Sequence, residues 1–133
     1  MDILFLDDME TRHQSFKRII HPHHDVTYVY TADAAKKAML TTAFELAFLD
    51  HDLAEEHYGA DNTQTADTGQ EVAQFIADKV WSQFRPPVVI IHSMNPDGSI
   101  RMEAILKSVK PAIEVHRLVF GSQSFIRTVQ GLK

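Results

Sequence analysis

Five times along its 133 residues the chain passes from a short unbroken apolar run to a longer stretch whose apolar residues recur every three or four positions. The first pattern reads as a strand buried on both faces, the second as an amphipathic helix. The runs are "ILFL" (3–6), "VTYVY" (26–30), "LAFLD" (46–50), "PPVVIIHS" (86–93) and "IEVHRLVF" (113–120). Between them lie Phe16, Ile19 and Ile20, then "ADAAKKAMLTT" behind Thr31 as an N-cap. A third stripe (Val72, Phe75, Ile76, Val80) and a fourth (Met102, Ile105, Leu106, Val109) follow, and "SQSFIRTVQ" closes the chain as a short helix. Alternation of this kind predicts one α/β domain over residues 1–133, doubly wound, with a five-stranded parallel sheet, helices on both faces and right-handed crossovers.

Composition narrows the partners. A chain of this length hides about two thirds of its unfolded surface, enough for a real core. With no cysteine, neither a disulfide scaffold nor a thiolate metal site is open to it. No apolar run nears the roughly 20 residues that cross a membrane, and no signal peptide leads the chain, so the expected location is cytoplasmic with no membrane partner. A net charge of -5 argues against a nucleic-acid polymer, which needs a basic surface. A small anionic ligand held by local groups stays open. Among eight histidines, three crowd into "HPHHD" (His21, His23, His24), expected to be an exposed loop.

In an open parallel sheet, ligands bind beyond the carboxyl ends of the strands. The polar groups found there are Asp7 and Asp8 after the first run, Asp50, His51 and Asp52 after the third, and His92, Ser93 and Asn95 after the fourth. Taken singly, each has a plain structural use: Asp8 can cap a helix, Ser93 can end a strand, His92 can be a hydrogen-bonded structural residue or a ligand. Gathered on one edge, four carboxylates repel unless a cation neutralises them. An oxygen-rich cluster suits Mg²⁺ or Mn²⁺, with Asp7, Asp8, Asp50 and Asp52 as candidate ligands. Arg12, one turn into the first helix, is a candidate phosphate contact. The polar segment 53–68 is too long for an ordinary connection, and reads either as a lid over this edge or as an ornament.

"LFLDDM", "LAFLD" and "VVIIHS" together resemble the receiver domain of response regulators over nearly the whole chain. That resemblance implies the strand order 2-1-3-4-5, a Mg²⁺ site at Asp7, Asp8 and Asp50, phosphoryl acceptance on Asp50 and a hydroxyl contact from Ser93. Two features depart from it. Receivers end their fifth strand with a lysine, whereas this run reads "EVHRLVFGSQS", and Lys110-Pro111 precede the strand. Histidines also stand at two strand ends, in "LDHDL" and "IIHSMN". Leu6-Asp7-Asp8, Leu49 to Leu53, Thr68-Gly69 and Ile91 to Asn95 together are similar to a divergent receiver-like family named for the processing of cyclic phosphates.

Opening a cyclic phosphodiester needs a base for water and an acid for the leaving oxygen, and imidazole serves both near neutral pH. If the third and fourth strands are neighbours, about 4.8 Å apart, His51 and His92 are expected to face one substrate phosphate. Ser93, Asn95, Arg12 and Thr68 are the expected substrate contacts, and a bound divalent ion the cofactor. Three functions compete: a metal-assisted phosphoesterase for a cyclic phosphate of nucleotide type, a signalling domain phosphorylated on Asp50, and a binder of a small phosphorylated molecule without turnover. The organic part of the ligand and the oligomeric state are not legible in the sequence.

Overall fold

The computed structural model describes residues 1–51, 68–78, 85–110 and 112–133. Its elements are β1 (Asp2–Leu6), α1 (Glu10–Ile19), β2 (Asp25–Val29), α2 (Ala32–Thr41), β3 (Leu46–Leu49), α3 (Gly69–Asp78), β4 (Val88–Ile91), α4 (Pro96–Lys107), β5 (Glu114–Arg117) and α5 (Gln123–Gln130). All paired strands run parallel in the order β2-β1-β3-β4-β5. This is the expected doubly wound sheet, in the order the receiver resemblance implies.

Period-two alternation along the buried strands splits the core in two. Leu4, Leu6, Ala47, Leu49, Val89 and Ile91 point to one face, where Met39 of α2, Val72 and Ile76 of α3 and Met102 and Leu106 of α4 cover them. Ile3, Phe5, Leu46, Phe48 and Ile90 point to the other, under Phe16 of α1 and Phe125 of α5. The first face is mainly aliphatic and the second is rich in aromatic rings, with Phe5 stacked on Phe16 at 4.2 Å between centroids. Removing one such side chain from water contributes roughly 2–3 kcal/mol.

Helix starts follow the capping rules with one exception. Thr31 caps α2 by accepting from Ala34 N–H, Asn95 caps α4 through Gly98 N–H, and Ser122 caps α5 through Phe125 N–H. At α1 the N-cap position falls to Met9, without a side-chain cap, rather than to Asp8. The neighbouring Asp7 accepts the Met9 N–H instead, at 2.9 Å. The fifth strand is shorter than the expected 113–120 and more exposed, as befits a sheet edge. Beyond it Leu118 and Phe120 still donate backbone N–H groups to Ile91 and His92 of the β4 side. In the histidine-rich loop His21 and His23 are exposed as expected, but His24 is buried, its Nδ1 facing the Met1 amino group and its Nε2 facing Leu132 O, each at 3.3 Å. Asp52, Val80 and nearly all of the proposed lid 53–68 lie outside the described residues.

Candidate functional site

Strands β1, β3 and β4 end level, and this decides which side chains meet. Leu6 pairs with Leu49, and Leu49 with Ile91. The ladder then runs one step further, with Asp50 N donating to Leu6 O at 3.1 Å and His92 N to Leu49 O at 3.0 Å. Asp7, Asp50 and His92 therefore occupy one rung, and alternation sends them to the aromatic side with Phe5, Phe48 and Ile90. Each offers a ligand atom, and these atoms lie within 4.8 Å of one another. All three residues are buried.

Asp7 is held by side chains. His92 Nε2–H donates to its Oδ2 at 2.9 Å, and Arg12 Nη1 lies 3.2 Å from the same oxygen. Beneath, His13 Nε2–H donates to the Asp7 carbonyl at 2.7 Å. The Arg12 guanidinium bridges to Asp50 Oδ2 at 3.5 Å, lies over the Phe120 ring at 5.4 Å and donates to Met94 Sδ at 3.4 Å. A cation thus already sits between the two carboxylates, which is the position where like charges call for one. The His92 ring stacks on Phe5 at 5.0 Å and 4°, with Phe120 and Phe125 as further neighbours.

Asp50 is held by backbone. Its Oδ1 accepts His51 N–H at 2.9 Å. Gly69 N donates to His51 O at 2.9 Å, and a Cβ added at Gly69 would stand 1.7 Å from Asp50 O. Only glycine lets α3 begin that close, which accounts for the Thr68-Gly69 motif. Residues one step past the rung belong to the other side of the sheet. His51 accordingly rests against α4, where a Cβ on Gly98 would come within 2.5 Å of its ring, and its Nδ1 is 3.4 Å from Asn95 Nδ2.

These surroundings act on the protons in opposite directions. Burial alone would raise the Asp7 carboxyl, but the hydrogen bond and charge of His92, with Met9 N–H and Arg12, hold it below its ordinary value. Asp50 is pushed up to about 7 by burial, then by the charges of Asp7 and Asp8, against the pull of Arg12 and His51 N–H. Burial lowers the His92 imidazole below its ordinary value, against the hydrogen bond and charge of Asp7, which pull it up.

The expected site residues fall into three groups. Asp7, Asp50, His92 and Arg12 form one cluster; His51 and Asn95 form a second beside α4. Ser93 Oγ accepts Asn95 N–H at 3.0 Å, and Thr68 Oγ1 accepts Glu71 N–H at 3.4 Å, so both shape the backbone of the edge. Asp8 is half-buried and adds charge near Asp50. The two histidines were expected to face one phosphate, but alternation places His92, 0% exposed, under the carboxylates and His51 on the opposite side. Sequence reading missed His13, although its spacing from Phe16 puts it on the buried stripe of α1, and missed Phe5 and Phe120 as the walls around His92.

A parallel sheet in this order, with an acidic rung at its carboxyl edge, defines a receiver-type domain. The sequence profile described as the cyclic-phosphate processing receiver domain matches residues 2–108, and the chain belongs to that family. Among solved structures, the Mn²⁺-bound form of the response regulator Rcp1 is similar at 20% identity and TM-score 0.61, over 98% of this chain and 89% of that one. The phosphorylated cyanobacterial phytochrome response regulator RcpA is similar at 17% identity and TM-score 0.65, with the same coverages. A CheY-like receiver domain protein from Methanospirillum hungatei is similar at 16% identity and TM-score 0.62, over 97% of this chain and 90% of that one. No curated protein sequence matches the chain. Among the described residues, no helix is long and apolar enough to cross a membrane.

Proposed function

We propose that this domain is a metal-assisted phosphoesterase that opens a cyclic phosphoester of nucleotide type. The observation that carries this reading is the imidazole of His51, immediately after Asp50 and braced by Asn95 and Gly98, where a phosphorelay domain has no use for an acid–base group. The missing lysine supports it, since the end of the fifth strand offers the Phe120 ring under Arg12 instead. Asp7 and Asp50, with Asp8 and Asp52 nearby in sequence, would hold Mg²⁺ or Mn²⁺, and such an ion polarises a phosphoryl oxygen when bound. Arg12, Ser93, Asn95 and Thr68 are the proposed contacts to the phosphate. His51 takes a proton from the attacking water; the new P–O bond forms as the ring P–O bond breaks, the leaving oxygen takes a proton from solvent, and His51 returns its own to solvent. His92 supports this chemistry from below, through Asp7. The partner is a small phosphorylated molecule rather than a nucleic-acid polymer or a membrane, in keeping with the net charge of -5.

Purified protein with Mn²⁺ or Mg²⁺, offered a panel of cyclic nucleotides and baseless cyclic phosphates, is expected to release a linear monoester from at least one. His51→Ala should lower that rate by about 10²-fold. The second reading, a phosphoacceptor on Asp50, is favoured by the placement of Asp50 at the end of β3 and by the family. Stoichiometric labelling of Asp50 by a small phosphodonor, insensitive to His51→Ala and without cleavage of any cyclic phosphate, would replace the first reading with this one.

A further inference from the structure

Resting on the acidic metal site just proposed, we infer that this chain departs from an all-oxygen receiver site: His92 Nε2 is a metal ligand beside Asp7 and Asp50. The mixed nitrogen–oxygen set would then favour Mn²⁺, Fe²⁺ or Zn²⁺ over Mg²⁺.

The argument begins with the two nitrogens of one buried ring. His92 is 0% exposed, and among the described residues its Nδ1 has no hydrogen-bond partner. A neutral imidazole carries one N–H. Placed on Nε2, it serves the Asp7 carboxylate and leaves the Nδ1 lone pair without a donor among Phe5, Phe48, Phe120 and Phe125. Placed on Nδ1, the N–H sits among aromatic rings, whose faces accept it weakly. The Nε2 lone pair then confronts the Asp7 carboxylate, and a cation between them makes that arrangement favourable. The surroundings of Nδ1 therefore favour the tautomer that a metal ligand requires.

Geometry agrees. Ligands about 2.1 Å from an ion and at right angles to each other stand about 3 Å apart. Nε2 and Asp7 Oδ2 are 2.9 Å apart, and an Asp50 oxygen completes three donors within 4.8 Å. The place for the cation is marked by Arg12 Nη1, which lies 3.2 Å from Asp7 Oδ2 and 3.5 Å from Asp50 Oδ2. Entry of the ion would displace that guanidinium and free it for an anionic ligand. An imidazole donor discriminates against Mg²⁺, which prefers oxygen and retains its waters.

Calorimetric titration with Mg²⁺ and Mn²⁺, without any substrate, tests the selectivity. Wild type should bind Mn²⁺ at least about tenfold more tightly than Mg²⁺, and His92→Asn should weaken Mn²⁺ by about 10–100-fold while changing Mg²⁺ far less. Because this buried substitution risks the fold, the same question is put to the wild type. The electron-spin-echo spectrum of bound Mn²⁺ should show coupling to one imidazole nitrogen that shifts on ¹⁵N-histidine labelling, and His51→Ala, His13→Ala and His116→Ala should each leave it in place. Tight Mn²⁺ binding without nitrogen coupling would overturn the ligand assignment and leave the proposed function standing. Failure of wild type to bind either ion would overturn both.

Discussion

Asp7 and Asp50 follow paired leucines on adjacent strands, lie on the same rung and are both buried, yet their protons behave oppositely. Asp7 is surrounded by donors: two on side chains, the His92 imidazole and the Arg12 guanidinium, and the backbone N–H of Met9. Asp50 receives one backbone N–H, a longer contact to Arg12 and the field of two other acids. Two titratable groups whose surroundings push them apart are a recurring mark of a working site. One carboxylate is held as a charge; the other keeps its proton up to about pH 7.

The largest effect should come from substituting each member in turn, and the signs should differ. Asp7→Ala strands His92 Nε2 and removes the nearer partner of Arg12, and is expected to cost about 3 kcal/mol or more. Asp50→Asn removes a charge that burial disfavours. In chelator at pH 8 it is expected to stabilise the fold by up to about 4 kcal/mol, the worth of a shift from 3.8 to about 7. Urea denaturation of both variants checks this; the same sign for both would break the contrast.

The second test uses pH. Between 3.8 and about 7 the folded chain keeps a proton on Asp50 that the unfolded chain has released. Stability of the metal-free protein should therefore fall as pH rises through that window, by at most about 1.4 kcal/mol per unit, and level off above it. Asp7 contributes the reverse at acid pH, with stability present above 3.8 and lost as pH drops below it. Asp50→Asn should flatten only the first slope.

Smaller effects separate the backbone support from the side-chain support. Gly69→Ala drives a Cβ into the Asp50 carbonyl and is expected to cost about 2–3 kcal/mol, with weakened Mn²⁺ binding, because α3 must retreat. Asn95→Ala removes the α4 cap and the brace of His51. About 1 kcal/mol of stability should go, with Mn²⁺ affinity unchanged and turnover reduced.

The sheet and the polar edge were legible because hydropathy reports burial, and strands buried on both faces leave little else to read; the strand order came from the resemblance to receiver domains. What escaped was the third dimension of the edge. Counting in twos from Ile3 and Phe5 already puts Asp7 on the aromatic side, and Phe48 and Ile90 do the same for Asp50 and His92. The same count sends His51 elsewhere, so the parity that separates the histidines was present but unused. Gly69 and Gly98 were visible as letters, whereas the close approaches that demand them exist only between segments far apart in sequence. The fifth strand is shorter than its apolar run predicts because Leu118 and Phe120, although their residue types suit a sheet, pack against α1 and α5.

The buried ring of His24 has a consequence for wiring. By touching the Met1 amino group on one side and Leu132 O on the other, it brings the first residue and the last turn of the chain to a common seam. That seam lies at the amino rim of the parallel sheet, across the molecule from the acidic rung. A short glycine-serine bridge from residue 133 to residue 1, with a new opening cut in an exposed loop elsewhere, would yield a circularly permuted protein with its carboxyl rim intact. Cargo fused at either end would hang from the far side, away from the acidic rung.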